Sequence, residues 1–442
     1  MVRSKLIPLF RELAKILHKE KIDIRAKDQL LKEINSLRNK RGYIDAGLPR
    51  FGRLFGRDSL ITAWQFLEIE PEIAKKTLKS LMRFQGKRID DLREEEPGKI
   101  IHEWSPKRIS WVPFPFPYYG SVDSTPLFLI VFSFYIKKTN DKKFLKRHWR
   151  KISAAVNWMK EYGDEDNDSF LEYKRKNPKG LFHQAWKDSV SNHLNIEPPV
   201  AIVEAQGYQY LALKETAKLA QIMKDKDLKK GLLKRARILK KRFNDRFWMP
   251  DKKYFALALD KDKKQKKAIT SNPGHLLFTG IIDKNKIKPV VGRLFKDDIW
   301  TVFGIRTHSK REKDFNPLSY HLGTVWPHDN WIIAQGLKKL GFKKEYLRIK
   351  KALLRVYNSL GYLPEFYGVS YQGKLLIKRN KLIIKGFEKD PNYPQAWSSG
   401  AMLMFTEKDK KDILMPIKAN FFLLRRLGGK LFKIVNFKNN NL

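Results

Sequence analysis

The chain has no cysteine, which excludes disulfides, thiolate metal sites and thiol nucleophiles and fits a reducing compartment. Long apolar runs are missing too. The longest, at residues 127–135, is far short of the ~20 residues that span a bilayer as a helix. The N-terminal stretch MVRSKLIPLFRELAKILHKEK interrupts its apolar positions with charges every few residues, so it reads as an amphipathic helix and not as a secretory signal. These absences predict a soluble, cytoplasmic protein with no membrane partner. Acidic residues are also scarce, with Asp and Glu numbering 47 against 91 Lys and Arg. Such an excess attracts polyanions through counterion release. Yet the lysines are spread along nearly every predicted helix, and no base-reading motif accompanies them. The charge is therefore read as a solvated surface, without a specific nucleic-acid partner.

What is present points to a large helical protein. Hydrophobic residues make up 42% of the 442, enough for an extensive core. The 11 Trp and 16 Tyr exceed what a core demands, and their rings suit the apolar faces of pyranoses while their polar edges hydrogen-bond. Helical periodicity dominates. Ala74, Thr77, Leu78, Leu81 and Met82 share one face, as do Leu228, Leu232, Ala236, Leu239 and Phe243, and likewise Tyr346, Ile349, Leu353 and Val356. About a dozen helices are expected, with strands limited to short stretches such as the alternating residues 374–384. Long loops at 86–122, 163–199, 296–327 and 361–393 separate the helices. No fixed repeat and no central linker is legible, so one all-α domain over residues 46–410 is predicted, with function carried by its loops. An amphipathic helical extension is expected at 1–45, and a basic helix with a frayed tail at 411–442. Oligomeric state is not legible.

Four loops combine residue types that do chemistry. Arg57 and Asp58, just ahead of an apolar helix, offer a donor and an acceptor for vicinal hydroxyls, unless Asp58 merely caps the helix. Asp188 lies two residues after Trp186, where desolvation raises a carboxyl pKa enough to keep a proton for donation; the alternative is a solvated turn. Residues 319–330 carry His321, Trp326 and His328. Two histidines seven apart do not fit a zinc helix, so these donors suit a polar ligand, or else a packed His–Asp pair at a helix start. Glu365, between Pro364 and Phe366, is a candidate buried base, against the alternative of a loop carboxylate paired with a lysine. A further stretch, Asp164, Asp166 and Asp168, alternates as in a calcium loop. Ser169 stands where glycine belongs and Arg175 where the bidentate Glu belongs, so no metal is expected.

Together with the motifs between them, these loops resemble the catalytic domain of the amylo-α-1,6-glucosidase (glycogen-debranching) family. That family is close to the glucosylglycerate and mannosylglycerate hydrolases and more distant from the glucoamylases. The series runs in order from about Gly47 to Met402: AGLPRFGRLFGRDSLITA, IHEW, YYGSVDSTPLF, KGLFHQAWKDS, PPVAIVEAQGYQY, SNPGHLL, FGIRTHS, SYHLGTVWPHDN, LPEFYG and YPQAWSSGAML. The resemblance implies a six-hairpin (α/α)6 barrel with long active-site loops at one end. It implies that Asp188 is the general acid and Glu365 the general base of an inverting glycoside hydrolase without cofactor, acting on an α-glucoside or oligosaccharide. Arg57 and Asp58 match the pair that holds the terminal sugar. Trp186, Trp326 and Trp397 resemble the aromatic wall of its pocket, and Tyr119, Asp123, His321 and Gln395 look like further polar contacts.

In the inverting mechanism the carboxyls stand ~6.5–9.5 Å apart to admit a water. A cation beside the acid would lower its pKa, so Lys187 is expected to point away from Asp188. The sequence departs from the pattern in three ways. About 45 residues precede the barrel, too few for the β-sandwich that relatives often carry there, so a stand-alone barrel is expected. Arg50 replaces the usual aromatic after the Pro, and Ala185 replaces the usual Gly before the Trp. The rival readings are an (α/α)6 phosphorylase, which Glu365 argues against, a histidine-using epimerase, and an inactive carbohydrate- or polyanion-binding module.

Overall fold

The computed structural model describes residues 26–377 and 389–406. Asp28–Met402 form one compact unit, and this unit holds the candidate loops. The second unit, Met1–Lys27 with Leu403–Leu442, lies largely outside the described residues, and with it the expected C-terminal helix and tail and much of the N-terminal extension.

The helices are α1 (26–36), α2 (Gly56–Phe66), α3 (Pro71–Arg83), α4 (Ser124–Thr139), α5 (Lys142–Glu161), α6 (Val203–Ile222), α7 (Lys226–Arg246), α8 (Leu276–Thr279), α9 (Lys284–Leu294), α10 (Pro327–Lys339), α11 (Lys343–Leu360) and α12 (Ala396–Thr406). They are of two kinds. In α3, α7 and α11 one stripe is buried and lysines face outward, as expected for helices with a single neighbouring layer. The predicted faces are those stripes, except that Leu228 is only half-buried. By contrast α4, α6 and α10 are buried around most of their circumference, polar Ser124, Glu204, Gln206 and Asn330 included. Consecutive helices pair, α2 with α3, α4 with α5, α6 with α7 and α10 with α11. The buried members also touch one another in the order α2, α4, α6, α8, α10. On α12, the Trp397 carbonyl accepts from Gln65 Nε2 of α2 at 3.0 Å.

Local signals fix the helix ends. Asp141 and Asp225 accept from the backbone N–H groups of Phe144 and Leu228, each at 3.0 Å, and so cap α5 and α7. Prolines open α3 and α10, where a missing N–H does no harm. Gly361, at φ 82°, ends α11 in the left-handed region.

Every strand among the described residues is two residues long. These short pairings tie loops together. β1 (Leu54–Phe55) is antiparallel to β2 (Glu103–Trp104), with Phe55 opposite Glu103. Isolated bridges join His183 to Ser189 and Val325 to Tyr367. The expected strand at 374–384 begins with a bridge between Val369 and Leu375, while residues 378–384 lie outside the described residues. No helix among the described residues is long and apolar enough to cross a membrane.

Candidate active site

The Asp188 loop is a tight excursion closed by the His183–Ser189 bridge, with Phe182 N–H donating to the Ser189 carbonyl at 2.7 Å. Its base is pinned: the Tyr173 hydroxyl and His183 Nδ1 lie 2.8 Å apart, and Val122 N–H donates to the Gln184 carbonyl. That second contact sets the loop against Asp123. Arg57, in the first turn of α2, bridges the two. Its Nε donates to Asp123 Oδ2 at 2.9 Å and its Nη1 to Asp188 Oδ2 at 2.8 Å. Asp123 is fully buried and accepts on its other oxygen from Ser121, so it orients the guanidinium. Arg57 Nη2 is buried without a partner.

The cation on Asp188 is therefore Arg57 and not its neighbour in sequence. Lys187 turns to the Thr307 carbonyl at 2.7 Å and lies over the Trp186 ring. Burial pushes the Asp188 carboxyl up to about 6, against the opposing pull of Arg57 and Lys389. Desolvation wins over the ion pair. Asp58 does not cap α2; it sits inside the first turn, where Phe55 is the N-cap residue and supplies no side-chain bond. Burial raises Asp58 to about 8, Arg57 pulls it down, and the charges of Asp188 and Glu365 raise it further.

Glu365 is held differently. The Val325–Tyr367 pairing lays the 319–326 loop against residues 363–368. Across it the Tyr320 hydroxyl donates to Glu365 Oε1 at 2.7 Å. Asn392 donates to Oε2 with both its backbone N–H, at 3.0 Å, and its side-chain amide. Burial raises the Glu365 pKa, while these neutral donors and the charge of Arg50 pull it down. Its charge acts on both Asp58 and Asp188, so the three carboxyls occupy one electrostatic neighbourhood.

Aromatic rings bound that neighbourhood. Trp326 stacks on His321 (5.5 Å between ring centroids) and on Phe366 (5.2 Å), and meets Trp186 and Trp397 edge-on. His328 stacks on Trp397 at 3.8 Å, and His275 is roughly parallel to Trp186. Burial holds His321 and His328 well below the ordinary histidine range, so both are neutral rings near pH 7. Trp186 Nε1, His321 Nε2 and both ring nitrogens of His328 are buried without partners. Buried polar atoms in folded proteins are almost always satisfied. A concentration of unpaired ones between these rings marks where a polar ligand or ordered water belongs.

Most of the expected residues converge here, but two do not face the carboxyls. The Tyr119 hydroxyl donates to the Phe84 carbonyl at 2.7 Å, and its electrostatic neighbours are Glu95, Arg93, Arg88 and Asp90. Gln395 is fully buried; with its amide oriented to satisfy both ends, it donates to the Ala46 carbonyl and accepts from Trp397 Nε1. It holds a ring of the wall. Tyr320, Asn392 and His275 were not singled out from sequence. Tyr320 adjoins His321 in a loop already marked as polar, whereas Asn392 lies in a Pro-Asn-Tyr-Pro turn with no signal beyond its turn chemistry. His275 lies 2.7 Å from Asp329 and 2.6 Å from the Tyr208 hydroxyl, so the packed pair at the start of α10 involves Asp329 but not His328. In the acidic turn, Asp164, Asp166 and Asp168 do cluster, and the Lys263 ammonium lies 2.7 Å from both Asp166 and Asp168. The chain's own lysine thus pairs with two of the three carboxylates.

Two carboxyls from separate loops, shared electrostatics and an aromatic enclosure with unpaired donors make this a candidate glycoside hydrolase site, and the comparisons identify the chain as a glycoside hydrolase. The family model for the mannosylglycerate hydrolase MGH1-like glycoside hydrolase domain matches residues 55–369, and the chain belongs to that family. The match is to this glycoside hydrolase family and not specifically to the debranching enzymes. Among solved structures, the fold is similar to the GH63 mannosylglycerate hydrolase of Thermus thermophilus in complex with glucose, with a TM-score of 0.67, 14% identity, and 86% of this chain and 100% of that chain covered. The same enzyme in complex with Tris and D-glycerate gives a TM-score of 0.66 at 14% identity over the same shares of the two chains. Identity this low speaks for the helical fold alone. No curated protein matches the chain.

Proposed function

We propose that the protein is an inverting glycosidase that removes a terminal α-linked glucose, with Asp188 as general acid and Glu365 as general base. The observation that carries this is the pairing of a raised, partly exposed Asp188 with a buried Glu365 held only by neutral donors, within one electrostatic neighbourhood. Arg57 occupies Asp188 Oδ2 and leaves Oδ1 to carry the proton that goes to the departing glycosidic oxygen. Glu365 Oε1 takes one donor, from Tyr320, and a carboxylate oxygen accepts two. Its second acceptor position receives a proton from the attacking water. The carboxyl separation for this is ~6.5–9.5 Å.

The terminal sugar lies against Trp186, Trp326 and Trp397. Its hydroxyls meet Arg57 Nη2, Asp58 and the neutral ring of His321. At neutral pH Asp58 keeps a proton and both donates and accepts. Asp123 and Gln395 act behind this surface, on Arg57 and Trp397. We further propose that the helix pairs close into an (α/α)6 barrel, a reading supported by the contact between Gln65 of α2 and Trp397 of α12.

A second reading is favoured by one observation. Arg50 and Lys389 make no ion pair with a carboxylate among the described residues, yet their charges act on Glu365 and Asp188 respectively. Two such cations suit a small carboxylated aglycone, the glycerate of the similar hydrolase being an example. Incubation with isomaltose, panose, maltotriose, glycogen, glucosylglycerate and mannosylglycerate separates the readings. Release of sugar from one substrate, lost in both Asp188→Asn and Glu365→Gln, is the expected result. Full activity in either variant would sink the assignment of that carboxyl.

A further inference from the structure

Beside the carboxyls runs a lip that the reaction itself does not use. Residues 105–117 form a loop with prolines at 106, 113, 115 and 117, and two of its aromatics anchor it. Phe114 stacks on buried Tyr118 at 3.7 Å, and Phe116 lies 5.9 Å from the Arg53 guanidinium. Trp111 on the same loop is not buried. It is 55% exposed, although Val112, Phe114 and Phe116 around it are packed down. Burying an indole contributes far more than leaving it in water, and on a pinned, proline-stiffened loop its exposed face is held ready for an apolar partner.

Its neighbours say where it stands. The Arg53 guanidinium lies 5.2 Å from the Trp111 ring, and the Phe51 ring meets Trp111 edge-on at 6.3 Å. Arg53 Nε donates to the buried Glu103 at 2.6 Å, and the charge of Asp188 acts on Glu103. From Phe51 the lip continues to Arg50, 5.8 Å from that ring, whose charge acts on Glu365. At one end the Arg53 guanidinium lies 4.8 Å from the Phe55 ring, two residues before the Arg57 that bonds Asp188. At the other, Arg50 N–H donates to Asn392 Oδ1 at 3.3 Å, and Asn392 donates to Glu365, so the lip runs from the proposed acid to the proposed base. The rings proposed to hold the terminal sugar, Trp186, Trp326 and Trp397, belong to a different cluster. The lip is left to the other side of the scissile bond.

We propose that Trp111 is a platform for the leaving side of the substrate, and that this side carries a second sugar ring whose apolar face stacks on the indole. Arg53, buried and bonded to Glu103 and to the Arg50 carbonyl, backs the indole, and Arg50 flanks the ring and donates to its oxygens. The substrate class is then an α-linked disaccharide or longer chain and not a glycoside of a three-carbon acid. This rests on the reading of Asp188 and Glu365 as the hydrolytic pair, but it is tested by binding, without turnover.

Calorimetric titration of the Glu365→Gln protein with glucose, maltose, isomaltose and mannosylglycerate is the experiment. A disaccharide binds more tightly than glucose, and Trp111→Ala in that background lowers the disaccharide-to-glucose affinity ratio about three- to tenfold. Trp111→Phe keeps most of the ratio, which separates a lost stacking face from a disturbed loop. An unchanged ratio in Trp111→Ala, or no disaccharide that binds better than glucose, overturns the platform. Should the unsubstituted protein hydrolyse none of these sugars while the ratio change is seen, the hydrolytic pair would be contradicted and the platform would stand.

Discussion

The proposed acid side and the proposed base side of the candidate site solve one problem by different means. Asp188 is held by a guanidinium and keeps 24% of its side chain exposed, whereas Glu365 is buried and held by a phenol and an amide residue. An ion pair favours the charged carboxylate, so on its own Arg57 would strip the acid of its proton; burial reverses that. Glu365 has no bonded cation. Its anion is stabilised by donors that cannot leave with the substrate. The acid's partner can be shared with an incoming sugar hydroxyl, through the unpaired Nη2, while the base's partners are fixed. The difference leaves a free donor on the Asp188 side and none on the Glu365 side, so in the proposed mechanism substrate can engage the acid's partner but not the base's.

The largest expected effect breaks the comparison outright. Asp188→Asn and Glu365→Gln each lower kcat by roughly 10²–10⁴ on a sugar substrate. With α-glucosyl fluoride, whose leaving group needs little protonation, steady-state kinetics should show Asp188→Asn recovering much of its loss and Glu365→Gln recovering none. Equal recovery would mean that the roles are reversed or shared.

Next in size is Arg57→Met. It removes a sugar contact, and it also frees Asp188 from the cation that holds its pKa down. The alkaline limb of the kcat/KM profile, which falls as Asp188 loses its proton near about 6, should move upward in pH as the rate drops. The direction in which the limb moves is the readout. A limb that stays put or moves down would contradict the account. Tyr320→Phe acts on the opposite limb. Losing a donor to the anion raises the Glu365 pKa, so activity sets in at higher pH, with kcat lowered by about tenfold, as for loss of one net hydrogen bond of ~1 to 1.5 kcal/mol.

How much of this was legible in the sequence depends on which helices are considered. The outer stripes, such as Leu232, Ala236, Leu239 and Phe243, could be read directly because one face is apolar and the other is lysine. Helices such as α6 hid their position. Glu204, Gln206 and Gln209 look like a solvent face, yet all are buried among neighbouring helices and loops. The candidate site was legible where it is local: Arg57, Asp58, Trp186, Asp188 and Glu365 sit in dense motifs. What holds them was not, since Asp123 reaches Arg57 from 66 positions away and Asn392 reaches Glu365 from 27. Tyr119 and Gln395 show the limit of assigning a contact by motif, for each lies in a shared motif with its polar atom turned elsewhere.

The smallest expected effect concerns stability. Asp58 is raised from 3.8 to about 8 in the folded protein. The native state therefore binds a proton that the unfolded chain releases. Stability from this group is complete below about pH 4 and is lost progressively as pH rises towards 8. Asp58→Asn should raise Tm at pH 8 and leave it nearly unchanged at pH 4, while activity falls. Calorimetry at the two pH values checks the sign.

The most direct test of the central claim is the anomeric form of the first product, followed by proton NMR in the minutes before mutarotation. The account predicts β-glucose from an α-linked substrate, because water activated by Glu365 attacks the face opposite the group protonated by Asp188. Initial release of α-glucose would contradict it, since retention requires a nucleophile where this account has a base.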